Sequence, residues 1–198
     1  MKPQRAAIGG PLTAALLLAA CAFSGAASAE SLAKKERRLE HDQAQAAYRL
    51  EWDSCRKLKD HAKDTCKVEA RGRFQVAKAE IDVKFKRSPA NQDRVKFAKA
   101  DAAYRLALEK CGDLSGNAKD VCKADAKAIS VAARGETRLS RASVDQGMYS
   151  RQAVRERKDV REDTADAQYA AEKERCDTLA GGAKASCVGE AKKKFGKL

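Results

Sequence analysis

The chain has 198 residues, a formal net charge of +13 at pH 7 and 35% charged residues, but 5% aromatic residues. Large apolar side chains are too few to form the core of a large globular domain. The combination of few such side chains with many charges approaches the composition of disordered chains. Alanine is instead the commonest residue, and lysine, arginine and glutamate are abundant as well; all four form helices readily. The composition therefore predicts an all-α protein that is held together by something other than a large apolar core.

The first 29 residues have the features of a secretory signal peptide. Lys2 and Arg5 precede an apolar run, and the small residues that follow it end at Ala29 in a signal peptidase cleavage pattern. The residues before Cys21 also resemble a lipoprotein box, in which that cysteine would carry the lipid. A retained membrane anchor is a third possibility, but the apolar run is short for a membrane span. Cleavage after Ala29 is our prediction, and lipid attachment at Cys21 is the alternative. Neither leaves an integral membrane span in the mature chain.

A pattern of six residues occurs three times in the remaining chain, with the same spacing each time. Each copy has a tyrosine, a cysteine seven residues later, then leucine, alanine and lysine, and a second cysteine eleven residues after the first. The copies are Tyr48, Cys55, Leu58, Ala62, Lys63 and Cys66; Tyr104, Cys111, Leu114, Ala118, Lys119 and Cys122; and Tyr169, Cys176, Leu179, Ala183, Lys184 and Cys187. Agreement without insertions indicates an internal structural repeat.

The two cysteines of each copy are predicted to bond to each other. In an unbroken helix they would lie about 16 Å apart, whereas a disulfide requires Cα atoms about 4.4–6.8 Å apart. Glycines interrupt the helix between the cysteines in the second and third copies, but the first copy has only Asp60 as a possible N-cap. We therefore expect three helical hairpins, closed by Cys55–Cys66, Cys111–Cys122 and Cys176–Cys187, with each tyrosine on the seam. In the alternative, the helix continues and these cysteines cross-link to a different helix or chain.

The apolar spacing predicts two helices in each hairpin. The first helix reaches about Cys55. The second follows Cys66 to Phe85, with the clearest amphipathic stripe of the chain, and ends before Pro89 because a residue that precedes proline disfavours helix. The third runs from about Asn91 to Cys111. Its predicted inner face consists of Phe97, Ala100, Tyr104, Leu108 and Cys111.

The fourth predicted helix begins with Asn117 as its N-cap and weakens at Gly135. Its predicted inner face consists of Cys122, Ala126, Ile129 and Ala133. Residues 135–150 are interpreted as a linker or a bent helix, because glycine, serine, threonine, arginine and aspartate replace the periodic pattern. The last two helices are predicted at 151–176 and 183–195. The expected units are therefore hairpins at 30–88 and 89–142, and a linker with the third hairpin at 143–198.

Enzymatic chemistry is not indicated by the motifs of this chain. We recognise no set of nucleophile, base and electrostatic stabiliser, so the prediction is a protein without catalytic activity, cofactor or metal. His41 and His61 are the two histidines, and neither stands in a metal-binding spacing. The cations around Pro89 are a candidate polyanion-binding site, which comprises Lys84, Lys86, Arg87, Arg94, Lys96 and Lys99. The 28 acidic residues of the chain would weaken any positive field around that site.

In its signal peptide, its richness in alanine and lysine and its long polar helices, the chain resembles bacterial cell-envelope proteins of the TolA-like kind in composition. Its repeats resemble those of uncharacterised secreted proteins with Cys-x10-Cys helical hairpins, a resemblance that implies no activity. The expected location is the periplasm or the extracellular space, with a lipid-anchored form as the alternative. The predicted function is a structural or protein-interaction role in the envelope, with an unknown envelope protein or cell-wall component as partner. The alternative is a basic module that binds a polyanion such as lipopolysaccharide, a cell-wall polymer or nucleic acid.

Overall fold

The computed structural model describes residues 23–197 and confirms the all-α fold class. Its helices are α1 Phe23–Cys55, α2 Asp60–Phe85, α3 Pro89–Lys110, α4 Gly116–Gln146, α5 Arg151–Cys176 and α6 Gly181–Lys194. A single 3-10 turn, Cys111–Asp113, joins α3 to α4. Most of the predicted signal peptide, Cys21 included, lies outside the described residues, so cleavage and lipidation stay predictions.

Each helix packs against the helix before it and the helix after it in the chain. Neighbouring helices run antiparallel, because Lys84 near the end of α2 pairs with Glu40, whereas Arg73 earlier in α2 pairs with Glu51. The three disulfide turns therefore lie at one end of the array, and the connections at 86–88 and 147–150 lie at the other. The hairpins pack side by side in chain order.

All three predicted disulfides are confirmed. The Cα atoms lie 5.5 Å apart in Cys55–Cys66, 5.7 Å apart in Cys111–Cys122 and 5.8 Å apart in Cys176–Cys187. The first cysteine of each pair is fully buried. Since a helix ends between the cysteines of each copy, the continuous-helix alternative is wrong.

The hairpin turns share a left-handed residue five positions after the first cysteine. This residue is Asp60 in the first copy, with φ of 48°, and a glycine in the others, Gly116 with φ of 55° and Gly181 with φ of 56°. Aspartate tolerates this conformation better than most L-residues, which is how the first copy turns without glycine. The predicted N-caps Asp60 and Asn117 are wrong by one or two residues, because Lys59 and Ser115 occupy the cap positions.

Replacing Asp60 by glycine is expected to raise the free energy of unfolding by about 1 kcal/mol, because glycine adopts a positive φ without the steric cost that a Cβ atom brings. Asp64→Gly is the matched control in the ordinary helical part of α2, and we expect it to lower the same quantity by about 1 kcal/mol. Urea unfolding followed by circular dichroism measures both changes. Equal losses in the two variants would show that Asp60 carries no backbone strain.

Two glycines let neighbouring hairpins approach closely. A Cβ atom added to Gly72 in α2 would lie 2.9 Å from Cβ of Ala102 in α3, and one added to Gly135 in α4 would lie 2.6 Å from Cγ1 of Val160 in α5. Gly135 is therefore a packing residue within α4. The linker interpretation of residues 135–150 is wrong as far as Gln146, because α4 continues to that residue, and the connection between α4 and α5 is confined to 147–150.

Side-chain periodicity predicted the inner face of α3 better than that of α4. Phe97 and Tyr104 of α3 lie beneath cations of α4, with Arg134 5.4 Å and Lys127 6.0 Å from the respective ring centres, so the predicted inner face of α3 is confirmed for these residues. Ile129 was predicted on the inner face of α4, but its side chain is 71% exposed. That prediction is wrong because α4 packs against both α3 and α5, and Ile129 faces neither.

The predicted tyrosine seam is clearest in the first hairpin. The ring of Tyr48 stacks on Phe74 of α2 with centroids 4.9 Å apart, and it also contacts Trp52 at 5.7 Å. Lys67 and Arg71 of α2 lie over Trp52. Aromatic contacts thus continue the seam beyond the Cys55–Cys66 clamp.

Candidate interaction surfaces

At the disulfide end of the array, residues at one repeated position contact the next hairpin. This position lies six residues after the first cysteine of each copy. His61 occupies it in the first copy, and its Nε2 lies 3.2 Å from Asp113 while its Nδ1 lies 3.5 Å from Glu109. The buried Nε2 is close to the carboxylate of Asp113 but is not aligned with it as a hydrogen bond. Asn117 occupies the same position in the second copy and donates from Nδ2 to the carbonyl oxygen of Glu174 over 2.7 Å. These contacts were not predicted, although the alignment of the copies places both residues in the same register.

Four of the six cations proposed as a polyanion site interact with neighbouring side chains. Lys84 pairs with Glu40, and the hydrogen bond that it donates raises the pKa of Lys84 above its usual value. Lys99 pairs with Glu80 at 2.8 Å. Lys96 lies 4.0 Å from Asp93 and 3.4 Å from the hydroxyl of Ser140, and Arg94 donates to Asn91 over 3.4 Å. Much of the positive charge predicted for this site is therefore balanced within the protein.

Lys86 and Arg87 are exposed, and neither has an ion pair with any residue in the described part of the chain. Their connection is held in place, because Ser88 caps α3 and the buried Asn91 donates from Nδ2 to the carbonyl oxygens of Asp82 and Lys86. Of the candidate polyanion site, these two cations and Arg94, which is exposed and hydrogen-bonded to a neutral amide, have no ion pair with a described residue. Polyanion binding itself stays a prediction.

The second connection at this end exposes large apolar side chains. Four of them lie between residues 144 and 154, and we call this group the α4–α5 tip: Val144, Met148, Tyr149 and Val154. Tyr149 is the most exposed, at 89%. In the sequence, the signal for this group is an aromatic residue among Gly, Ser, Asp and Arg in the segment predicted as a linker or a bent helix.

The backbone of the α4–α5 tip is well held. Arg157 donates from Nη1 to the carbonyl oxygen of Met148 over 2.7 Å, and the hydroxyl of Ser150 accepts from the amide of Ala153 over 3.0 Å at the start of α5. Arg151 and Arg155 beside it are exposed and have no ion pair within residues 31–145 and 147–197. The tip therefore presents apolar groups on an ordered turn, with unpaired cations at its rim.

Elsewhere, ion pairs join helices and leave less charge for ligands. Arg138 of α4 donates to Asp163 over 2.8 Å and to Glu156 over 2.6 Å, and these hydrogen bonds raise the pKa of Arg138 above its usual value. Arg175 of α5 pairs with Asp125 of α4 at 2.6 Å. The mixed charges of α5 thus act partly as links to α4.

Among residues 23–197, no helix carries an apolar stretch of the length that crossing a bilayer requires, and no group of three or more His, Cys, Asp or Glu is placed to hold a metal ion. The three disulfides fit an oxidising compartment. No protein-family model and no curated protein matches this chain, and no solved structure matches it either. The surfaces of the molecule are therefore what a functional argument must start from.

Proposed function

We propose that this protein is a non-enzymatic structural or interaction protein of the periplasm or the extracellular space, and that it works by binding other proteins. The observation that carries the proposal is the α4–α5 tip. A chain with 5% aromatic residues exposes a tyrosine and a methionine on one turn, and a valine near that turn on each of the two helices that it joins. Clustered apolar exposure of this kind marks interaction sites in soluble proteins.

The composition of the tip suits a protein partner. Tyr, Met and Arg are enriched at the cores of protein interfaces, and the tip combines Tyr149 and Met148 with Arg151 and Arg155. Because the turn is already ordered by Arg157 and Ser150, little conformational entropy is lost when a partner binds. The complementary surface would have an apolar depression with acidic residues around it.

A photoreactive phenylalanine analogue in place of Tyr149 tests this proposal in the cells that make the protein. We expect one adduct of defined mass after irradiation, and we expect Met148→Ser to lower its yield about tenfold or more, as loss of an interface hot spot does. The same analogue at Ile129, which is also exposed but lies outside the tip, is the control. Equal labelling from both positions, or no adduct from position 149, would contradict a docking role for the tip.

Polyanion binding is the second candidate, and the unpaired Lys86 and Arg87 favour it. They lie at the same end of the array as the tip, so the two functions need separate variants. Heparin serves as the probe: if these cations form an anion site, affinity falls steeply with salt and the double variant Lys86→Ser/Arg87→Ser loses it. Binding that is lost in this variant and kept in Met148→Ser would favour the polyanion function over the protein-binding one.

A further inference from the structure

The outer face of α1 carries an apolar stripe directly opposite the face that packs on α2. Leu39 is 56% exposed and Leu50 is 74% exposed, and Ala46 between them is exposed as well. Tyr48, by contrast, points to Phe74 of α2. Because one face of α1 is already covered, the exposed leucines form a second face of the kind that helices use for packing.

The internal repeat indicates the role of this stripe. Its residues have counterparts in α3 and α5 at the same sequence separation from the first cysteine of each copy, and counterparts in both helices contact the preceding helix. Ala102 lies against Gly72, Glu109 beside His61, and Val160 against Gly135. The aligned sets are Leu39, Ala46, Leu50 and Asp53 in α1; Val95, Ala102, Leu106 and Glu109 in α3; and Val160, Ala167, Ala171 and Glu174 in α5. The face of α1 is thus a helix-packing face whose partner helix is missing from residues 23–197.

The opposite edge of the array is different. Gly182 of α6 lies at the position of His61 and Asn117, which contact the next hairpin, and a Cβ atom at Gly182 would meet nothing within 4 Å. Lys193 of α6 stands at the position of the close-packed Gly72. Repeat arrays end in such polar faces, which do not accept another repeat. Head-to-tail stacking of α6 on α1 is therefore disfavoured, and an apolar α1 edge remains.

We propose that a second copy of this chain covers that edge, with the two α1 helices antiparallel in a closed two-fold dimer. This proposal rests on the proposed function, since it names one partner of a protein that works by protein contact. Placing Leu39 of one copy beside Leu50 of the other covers both leucines in both copies, because a two-fold interface repeats each contact. The same register brings Asp42 near Arg49 of the other copy, and it brings Arg38 near Asp53, whose carboxylate also lies 3.4 Å from Arg56 of its own copy.

The charges support this occupant. Arg38, Asp42 and Arg49 flank the stripe and have no ion pair with any described residue, whereas Arg37 and Glu40 on the other side of α1 pair with α2. Antiparallel copies would pair the unused charges, and opposite charges across an interface fix its register. The stripe from Leu39 to Asp53 is about 22 Å long at the rise of an α-helix, so the interface lies at the small end of specific interfaces. We therefore expect a reversible dimer whose population rises with concentration.

Sedimentation velocity of the whole mature protein over a concentration series tests the dimer. Leu39→Glu and Leu50→Glu are expected to shift the protein to monomer without changing its thermal unfolding, because both side chains are exposed in a single copy. Ile129→Glu is the matched control, with a similarly exposed side chain on α4. A wild type that stays monomeric, a dimer that Ile129→Glu disrupts equally, or oligomers that keep growing with concentration would each overturn the proposal.

Charge exchange tests the register. Asp42→Arg and Arg49→Asp are each expected to weaken the dimer about threefold or more, and the double exchange Asp42→Arg/Arg49→Asp is expected to restore it, since each copy then presents the reversed pair. A double variant that is weaker than both single variants would overturn the antiparallel arrangement. The photo-adduct from position 149 is independent of α1, so a protein that is monomeric but still forms that adduct would refute the dimer and leave the proposed function standing.

Discussion

Removal of the central disulfide by Cys111→Ser/Cys122→Ser is expected to lower the free energy of unfolding by about 3 kcal/mol, or less if the unfolded chain retains helix. The bond closes a loop over a sequence separation of 11, and the enclosed Cys111 loses its packing as well. Three such bonds together are comparable with the whole stability of an ordinary domain, about 5–15 kcal/mol. Urea unfolding of the double variant and of the fully reduced wild type measures both effects.

The damage is expected to stay close to the missing bond. Hydrogen exchange should accelerate at the turn between α3 and α4, because each helix packs mainly against its neighbours in the chain. The terminal bond is the control: Cys176→Ser/Cys187→Ser should release α6, at the end of the array, while the main unfolding transition hardly moves. Uniform acceleration along all the helices in both variants would contradict the local clamp, and stability unchanged by reduction would contradict the idea that disulfides replace a large core.

The second large effect is expected at Gly135, where leucine should lower the free energy of unfolding by about 3 kcal/mol. Any Cβ atom there would come within 2.6 Å of Cγ1 of Val160. Val160 is buried and β-branched, so its side chain cannot rotate away at little cost. Helix propensity alone predicts the opposite sign, because leucine favours helix more than glycine by about 1 kcal/mol.

Gly189→Leu is the matched control for that substitution. Gly189 also lies inside a helix, but nothing approaches its Cβ position within 4 Å, so leucine should raise the free energy of unfolding by up to about 1 kcal/mol. Combining Gly135→Leu with Val160→Ala should recover part of the loss, because the two side chains compete for one space. Equal effects of leucine at the two glycines, or additive losses in the combined variant, would show that α4 and α5 are not in close contact at this point.

These two effects describe how a protein with little apolar bulk maintains a fixed shape. Disulfides hold each hairpin at one end, and small residues such as Gly72 and Gly135 let neighbouring hairpins pack closely. Ion pairs such as that of Arg138 add links between helices. Because alanine and glycine can form most of this packing, the larger side chains of the tip and of the α1 edge are free to remain on the surface.

The local features were predictable from the sequence. The disulfide pairing depends on residues eleven positions apart, so covalent geometry and the intervening turn residues were enough to predict it. The ends of α2, α3 and α5 lie close to their predicted positions, because Pro89 and the turn between the two cysteines of each copy act within a few residues of themselves.

The sequence by itself thus determined the helical class, the three hairpins and their clamps, since these depend on contacts between residues that are near in the chain. The tertiary structure decided the rest. Whether Gly135 ends a helix or allows close packing depends on Val160 across the interface, and whether Lys84 is free to bind an anion depends on Glu40 across the hairpin. Whether a leucine is buried depends on the neighbours of its helix: α4 has a helix on each side, whereas α1 has α2 on one side and a bare apolar face on the other. Such outcomes depend on the register between helices, which periodicity along a single helix does not encode.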